Sequence, residues 1–228
     1  MFLTNNILIL YTDRLVTDSP STLRGFIASL FPDNSLLHHH LNTPNKKGFI
    51  YTYPKVQYKI IDGVPIVLGI GDAKEVVKGI SNIDSLNLKG KKYLITDRKL
   101  IEKDVDFGVT EDAFSYKFLT PWLALNEESY QRYKKCNQAE RKKQLESILV
   151  GNIISMAKGL EYIITDKITA TVNVHEVSTS LKGTPMLGFL GTFSVNFEIP
   201  DYWGIGKSVS RGFGTVKRMG GKTIDNRK

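Results

Sequence analysis

The sequence predicts an α+β fold in which one order of elements, β-α-β-β, occurs twice along the chain. Three observations predict it. Residues 1–11 form a short apolar strand, and an amphipathic helix with a Ser19-Pro20 start follows. An alternating hairpin with an Asp62-Gly63 turn comes next. A strand, a long helix and a second hairpin then recur in the same order in the second half.

The first half is predicted to complete a β-α-β-β-α-β unit, the ferredoxin-like arrangement. Apolar side chains recur at helical spacing after Ser19, and Pro32 ends this helix. The remaining elements are predicted at 56–60 and 64–70 (the hairpin), 73–80 (a short helix) and 93–97 (a strand).

The second half is predicted to be a similar unit in which a loop replaces the second helix. Its long helix begins at Asn137, with Glu140 three residues later as in a capping box. Its strands are predicted to start near 114, 168, 186 and 213. An acidic stretch broken by Gly108 separates the halves, which predicts domains at 1–108 and 109–228.

Composition favours a globular protein with a polyanionic partner. The chain has 228 residues, 41% of them hydrophobic, and a net charge of +8. No apolar run approaches the roughly 20 residues that cross a bilayer, so no membrane partner is expected. The single cysteine, Cys136, excludes an intramolecular disulfide and fits a cytoplasmic location. No Cys/His cluster has the spacing of a zinc site.

Residues 204–214, Gly-Ile-Gly-Lys-Ser-Val-Ser-Arg-Gly-Phe-Gly, form a glycine-rich loop. Glycine is favoured where φ is positive or where a backbone approaches a ligand closely. The basic spacers favour a phosphate-backbone clamp over the alternative, a mobile surface loop. The spacing fits neither a dinucleotide fingerprint nor a Walker loop. The candidate RNA-binding residues are Gly204, Gly206, Lys207, Ser208, Arg211, Gly212 and Gly214.

Three adjacent histidines, His38, His39 and His40, lie in a polar segment after the first helix. They fit a metal-binding or incidental patch, a structural turn, or acid–base chemistry near neutral pH. In the third case an imidazole takes the proton of an RNA 2′-OH, whose oxygen then attacks the adjacent phosphorus. Four aromatic residues, Phe49, Tyr51, Tyr53 and Tyr58, are candidates for base stacking, with core or sheet packing expected for at least half of them.

These residues resemble a known family. The Gly-Ile-Gly…Gly-Phe-Gly signature resembles the C-terminal glycine-rich loop of the RAMP superfamily of CRISPR-associated proteins. The His38-x-His40 pattern after the first helix, with residues 51–59 behind it, resembles the repeat-RNA-processing endoribonuclease of that superfamily, the sixth Cas protein. The resemblance covers the whole chain in element order and length.

The resemblance implies tandem ferredoxin-like (RRM-like) domains and cleavage of precursor CRISPR RNA within its repeats. The reaction would need no metal or other cofactor and would leave a 5′-hydroxyl and a 2′,3′-cyclic phosphate. His40 is then the first catalytic candidate and His38 the second, with Tyr51 and Lys47 as weaker ones and His39 still open. Other Cas proteins of an interference complex and a homodimer are further implied partners.

Two other functions remain open at this stage. A non-catalytic RAMP-superfamily subunit would bind guide RNA with the same loop and would have no need of the histidines. A small-molecule ferredoxin-like enzyme could hold a nucleotide in the loop, although the basic tail argues against it.

Overall fold

The structure, a computed structural model, describes residues 1–32, 34 and 53–220. Within this part of the chain, no helix is both long and apolar enough to cross a membrane.

The first half forms a five-stranded antiparallel sheet with strand order β2-β3-β1-β5-β4. Its elements are β1 (Phe2–Thr12), α1 (Pro20–Leu30), β2 (Val56–Ile61), β3 (Val64–Ile70), α2 (Lys74–Ile80), β4 (Ser85–Leu88) and β5 (Lys91–Asp106). The first four strands in this order are those of a ferredoxin-like sheet, and β4 is an additional edge strand paired with β5.

Helix α1 forms for the reasons that the sequence indicates. The Ser19 side chain accepts a hydrogen bond from the backbone N–H of Thr22, and Pro20 occupies the first turn. Leu23 and Ile27 are buried against the first sheet. The helix ends just before Pro32, as predicted.

The second half forms a four-stranded sheet with strand order β7-β8-β6-β9, the same topological order. Its elements are β6 (Gly108–Phe118), α3 (Glu127–Lys135), α4 (Gln138–Gly159), β7 (Ala170–Leu181), β8 (Thr184–Glu198) and β9 (Val216–Arg218). A single 3-10 turn, Val209–Arg211, stands where a second helix would be expected. The tandem ferredoxin-like prediction is confirmed, and so is the Asn137–Glu140 capping box.

The centre of the first sheet, formed by β1, β2 and β3, is buried on both faces. Leu8 and Leu10 pack with α1 and α2, whereas Ile7 and Ile9 point the other way and join a core shared with the second half. The face that an isolated domain of this fold exposes is therefore covered here.

Tyr53 and Tyr58 belong to these cores, with 9% and 1% of their surface exposed. Their rings consequently serve packing, the alternative to base stacking.

Candidate nucleic-acid interface

The glycine-rich loop is fastened to the edge strand β2 and the residues before it. The Gly204 N–H donates to Gln57 Oε1 at 3.0 Å, and the Gly204 carbonyl accepts from the Tyr53 hydroxyl at 2.8 Å. The Lys59 ammonium donates to the Val209 carbonyl at 3.4 Å. Loop and strand therefore hold each other in place across the boundary between the two halves.

Two of the glycines are required by the geometry. Gly212 has φ +86°, and a Cβ there would lie 2.6 Å from Pro20 at the start of α1. Gly214 has φ +61°, and a Cβ there would overlap the Ile205 carbonyl oxygen. The Gly214 N–H already donates to the Pro121 carbonyl. Since the Gly204 and Gly214 amides are bonded within the protein, an anion would meet mainly the charged side chains of the loop.

A cleft of about 1170 Å³ opens where α1, the glycine-rich loop and the turn of the β7–β8 hairpin meet. Among the described residues that line it, the cations are Lys89, Lys182 and Arg211, and none is acidic. One face of α1 forms a wall through Thr22, Gly25, Phe26 and Ser29, small or apolar side chains apart from the Thr22 and Ser29 hydroxyls. A cleft with positive charge and no carboxylates attracts polyanions.

Two guanidinium groups lie close together beside this cleft. Arg24 on α1 donates to the Ser210 hydroxyl at 3.3 Å, across 186 positions of sequence. Burial, and then the neighbouring positive charge of Arg211, lower the pKa of Arg24. In the described part of the chain neither arginine has a carboxylate within 4.0 Å. This arrangement suits a phosphate, which accepts bidentate hydrogen bonds from guanidinium groups.

The structure separates two residues that the loop motif groups together. Lys207 donates to the Leu125 carbonyl at 2.8 Å and lines a second, smaller cavity of about 390 Å³ with Tyr130 and Met186. Partial burial lowers its pKa. Lys207 and Arg211 therefore face different cavities, and only Arg211 borders the larger cleft. Ser208, with a left-handed backbone, holds the turn by accepting from the Arg211 N–H.

The predicted catalytic residues His38, His39, His40, Lys47 and Tyr51 lie outside the described residues. The chain enters this segment from the end of α1, one wall of the cleft, and leaves it at Tyr53, which is bonded to the glycine-rich loop. The fourth histidine, His175, is exposed on β7. Among the described side chains, no three His, Cys, Asp or Glu residues are grouped so that they could hold a metal ion.

Arg24 is the site residue that the sequence pattern did not single out. Its only sequence signal is its place off the apolar stripe of α1. Its proximity to Arg211 depends on how the two halves pack, which periodicity does not reveal.

Lys59 is a fully buried lysine whose ammonium donates to Gln57 Oε1 at 2.9 Å. Burial lowers its pKa to about 7, whereas the unfolded chain keeps a value near 10.5. Between these values the unfolded state binds more protons, so the free energy of unfolding rises with pH, by at most about 1.4 kcal/mol per unit. Tyr53 and Tyr58 stay protonated in this window because burial raises their pKa values.

We therefore expect Tm to rise by several degrees between pH 7 and pH 9, and Lys59→Met to remove most of this rise. Differential scanning calorimetry at both pH values measures the change. Lys143→Met, at an exposed position of α4, is the control and should keep the wild-type pH dependence. The same rise in the Lys59→Met variant would contradict this account of Lys59.

The fold and the cleft together define the class: tandem ferredoxin-like proteins with a basic cleft beside a glycine-rich loop. Residues 3–106 match the family described as the Cas6b N-terminal domain, and residues 108–219 match the Cas6b C-terminal domain. The chain therefore belongs to the Cas6b family.

Solved structures agree with this assignment. A crystal structure of Cas6b is 36% identical, with a TM-score of 0.87 over 96% of this chain and 100% of that one. A second, of the CRISPR RNA processing endoribonuclease Cas6b, is 34% identical with a TM-score of 0.77 over the same shares. An uncharacterized protein of Methanocaldococcus jannaschii is 46% identical over 141 residues, 61% of this chain and 96% of that protein. A RAMP protein that binds different RNA substrates, at 12% identity and TM-score 0.55 over 96% of this chain and 100% of that one, shares the fold.

Proposed function

We propose that this protein cleaves precursor CRISPR RNA within its repeats by attack of a 2′-hydroxyl on the adjacent phosphorus. Its membership of the Cas6b family makes it a CRISPR RNA-processing endoribonuclease. The observation that carries the proposal is the cleft between α1, the glycine-rich loop and the β7–β8 turn. The described residues that line this cleft include three cations and no acid.

The RNA backbone would lie in this cleft. Arg211 and Arg24 would bind one phosphate as a pair, and Lys89 and Lys182 would bind phosphates on either side. The loop glycines 204, 206, 212 and 214 would assist RNA binding indirectly. Because they have no side chain, the loop can pack closely against α1 and β2, which brings Arg211 next to Arg24.

The chemistry would come from the histidine segment. His40 takes the proton of the 2′-OH, the 2′-oxygen attacks phosphorus, and the bond from phosphorus to the 5′-oxygen breaks. The leaving oxygen gains a proton from a second acid, for which His38 is the first candidate. Lys47 and Tyr51 would stabilise the charge on the transition state. The products are a 2′,3′-cyclic phosphate and a 5′-hydroxyl.

The length of the chain allows this placement. Seven residues lie between Pro32, just after α1, and His40, and the eight Cα-to-Cα steps reach up to about 27 Å when extended. Ser29, at the end of α1, already lines the cleft. No metal ion is needed for this reaction, because the nucleophile is the 2′-OH of the substrate and the imidazoles move the protons.

The experiment that tests this function is cleavage of repeat RNA from the same genome in the presence of a chelator, with the ends of both products identified. We expect one cut, a 5′-hydroxyl and a 2′,3′-cyclic phosphate. The same RNA with a single 2′-deoxy sugar at the cut site serves as the matched substrate control.

We also propose the cytoplasm as the place of action and precursor CRISPR RNA as the main partner. Other Cas proteins of an interference complex and a second copy of the chain are further proposed partners. The single cysteine, Cys136, supports the proposed compartment.

A further inference from the structure

The second sheet has one face that no described helix covers. Its inward side chains, such as Tyr116 and Phe193, are buried in the core that α4 shares. The side chains that alternate with them point outward. One outward row crosses all four strands, because β7 pairs Asn173 with Thr192, β6 pairs Lys117 with Thr192, and β9 pairs Lys217 with Lys117. We call this surface the open face.

The open face has positive charge at two lysines, Lys117 and Lys217. Lys117 and Lys217 lie directly opposite each other on neighbouring strands, an arrangement that costs stability unless a ligand offsets it. In the described part of the chain neither lysine forms an ion pair. Two glutamates of the same sheet are already paired, Glu176 with Arg141 and Glu198 with Arg218.

Apart from the two lysines, this row and the next are polar and uncharged, and His175 and Val177 follow on the same face further along β7. The next row consists of Thr171, Ser194 and Ser115, and the two serine hydroxyls are 2.7 Å apart. None of the large apolar side chains that are exposed in the described chain belongs to these two rows. Hydroxyl and amide groups with two lysines suit the phosphates and 2′-hydroxyls of RNA better than the apolar centre of a protein interface.

The open face is continuous with the cleft. Along β7, alternate residues on this face run from Asn173 past Val177, which pairs with Gly188, to Thr179, which lines the cleft. A Cβ on Gly188 would lie 2.9 Å from Pro121, another lining residue. The distance from Asn173 to Thr179 along an extended strand is about 20 Å. A strand of RNA leaving the cleft by the β7–β8 turn would therefore meet this face next.

We propose that the open face binds the single-stranded RNA that flanks the cut site, with Lys117 and Lys217 bound to its phosphates. This inference rests on the proposed function and extends it to a second contact region outside the cleft.

The test compares two double variants with the same loss of charge. K117Q/K217Q removes the lysines of the open face. K143Q/K158Q removes two exposed lysines of α4 that form no ion pair with any described side chain. Fluorescence anisotropy measures the affinity of each variant for labelled repeat RNA over a series of salt concentrations. We expect K117Q/K217Q to bind roughly tenfold more weakly and to lower the slope of log K against log salt by about 1.4, or ~0.7 per lost contact. K143Q/K158Q should keep the wild-type values.

Cleavage at saturating enzyme and thermal unfolding complete the test. We expect K117Q/K217Q to cut at the wild-type single-turnover rate and to unfold at the wild-type temperature or above, because a like-charge pair is removed.

Wild-type affinity and salt slope in K117Q/K217Q would overturn the inference while leaving the proposed function intact. If K117Q/K217Q kept the wild-type affinity and salt slope but had an altered sedimentation coefficient, the inference would also be overturned. The open face would then be assigned to contact between copies of the chain. If the wild-type protein bound RNA without cutting it, the proposed function would be contradicted. The salt slopes of K117Q/K217Q and K143Q/K158Q would still show whether the open face binds RNA.

Discussion

Replacing His40 with alanine is expected to lower the single-turnover cleavage rate of repeat RNA by about 10²–10⁴-fold, the contribution typical of one general acid or base. The affinity for RNA should stay within about twofold, because the phosphates are bound by the cations of the cleft. Single-turnover kinetics at saturating enzyme measure the rate, and anisotropy measures the affinity.

Two further variants make this result interpretable. His38→Ala should also slow cleavage, and the larger of the two effects identifies the general base or acid that limits the rate. His175→Ala is the control for the rate alone. This imidazole is exposed on β7 and lies on the open face, away from the histidine segment, so its loss should leave the single-turnover rate at saturating enzyme unchanged. If the variant with both His38 and His40 replaced cut at the wild-type rate, the catalytic assignment would be wrong.

Removing both guanidinium groups beside the cleft, in R24Q/R211Q, is expected to weaken RNA binding about 100-fold at 0.15 M salt. Charge-assisted hydrogen bonds of partly buried arginines are each worth about 1.5–3 kcal/mol. Folding should not suffer, because the two arginines repel each other in the free protein and burial with this repulsion already lowers the pKa of Arg24. Anisotropy with labelled repeat RNA measures the affinity, and thermal unfolding measures stability.

Arg132→Gln provides the comparison for this double variant. This arginine is exposed on α3 and pairs only with Glu128 among the described side chains, so its loss should hardly change RNA affinity. Wild-type affinity in R24Q/R211Q would show that RNA does not occupy the cleft. A large drop in Tm would instead indicate that the pair is structural.

The parts of the fold that the sequence predicts well are those with a local chemical signal. The Ser19-Pro20 helix start, the Asp62-Gly63 hairpin turn and the Asn137 cap each depend on residues a few positions apart. Several features were not predicted, among them the edge strand β4, and two of them lack such a signal or oppose it.

The first missed feature is the length of β5. This strand continues through residues 98–106, six of them charged, because each residue is paired with one on β1. Pairing with an existing strand here outweighs the weak strand propensity of Lys, Glu and Asp. The second is α3, whose first turn is fixed by an Asn126–Ser129 capping box but which has almost no apolar stripe.

The candidate site was predicted only in part, for the same reason. The glycine-rich loop is visible as a motif, but its packing against Pro20 and its bond to Gln57 depend on residues about 150 or more positions away. The Arg24–Arg211 pair also joins the two ends of the chain. Such proximity follows from tertiary packing, which no local pattern in a single sequence encodes.

The central claim is that the substrate's own 2′-hydroxyl is the nucleophile, and one measurement tests it most directly. Repeat RNA and the same RNA with one 2′-deoxy sugar at the cut site are incubated with the wild-type protein in chelator. We predict that the all-ribose RNA is cut once and ends in a 2′,3′-cyclic phosphate, while the deoxy RNA binds equally well and stays intact. Cleavage of the deoxy RNA at the same bond, or loss of all cleavage in chelator, would contradict the account.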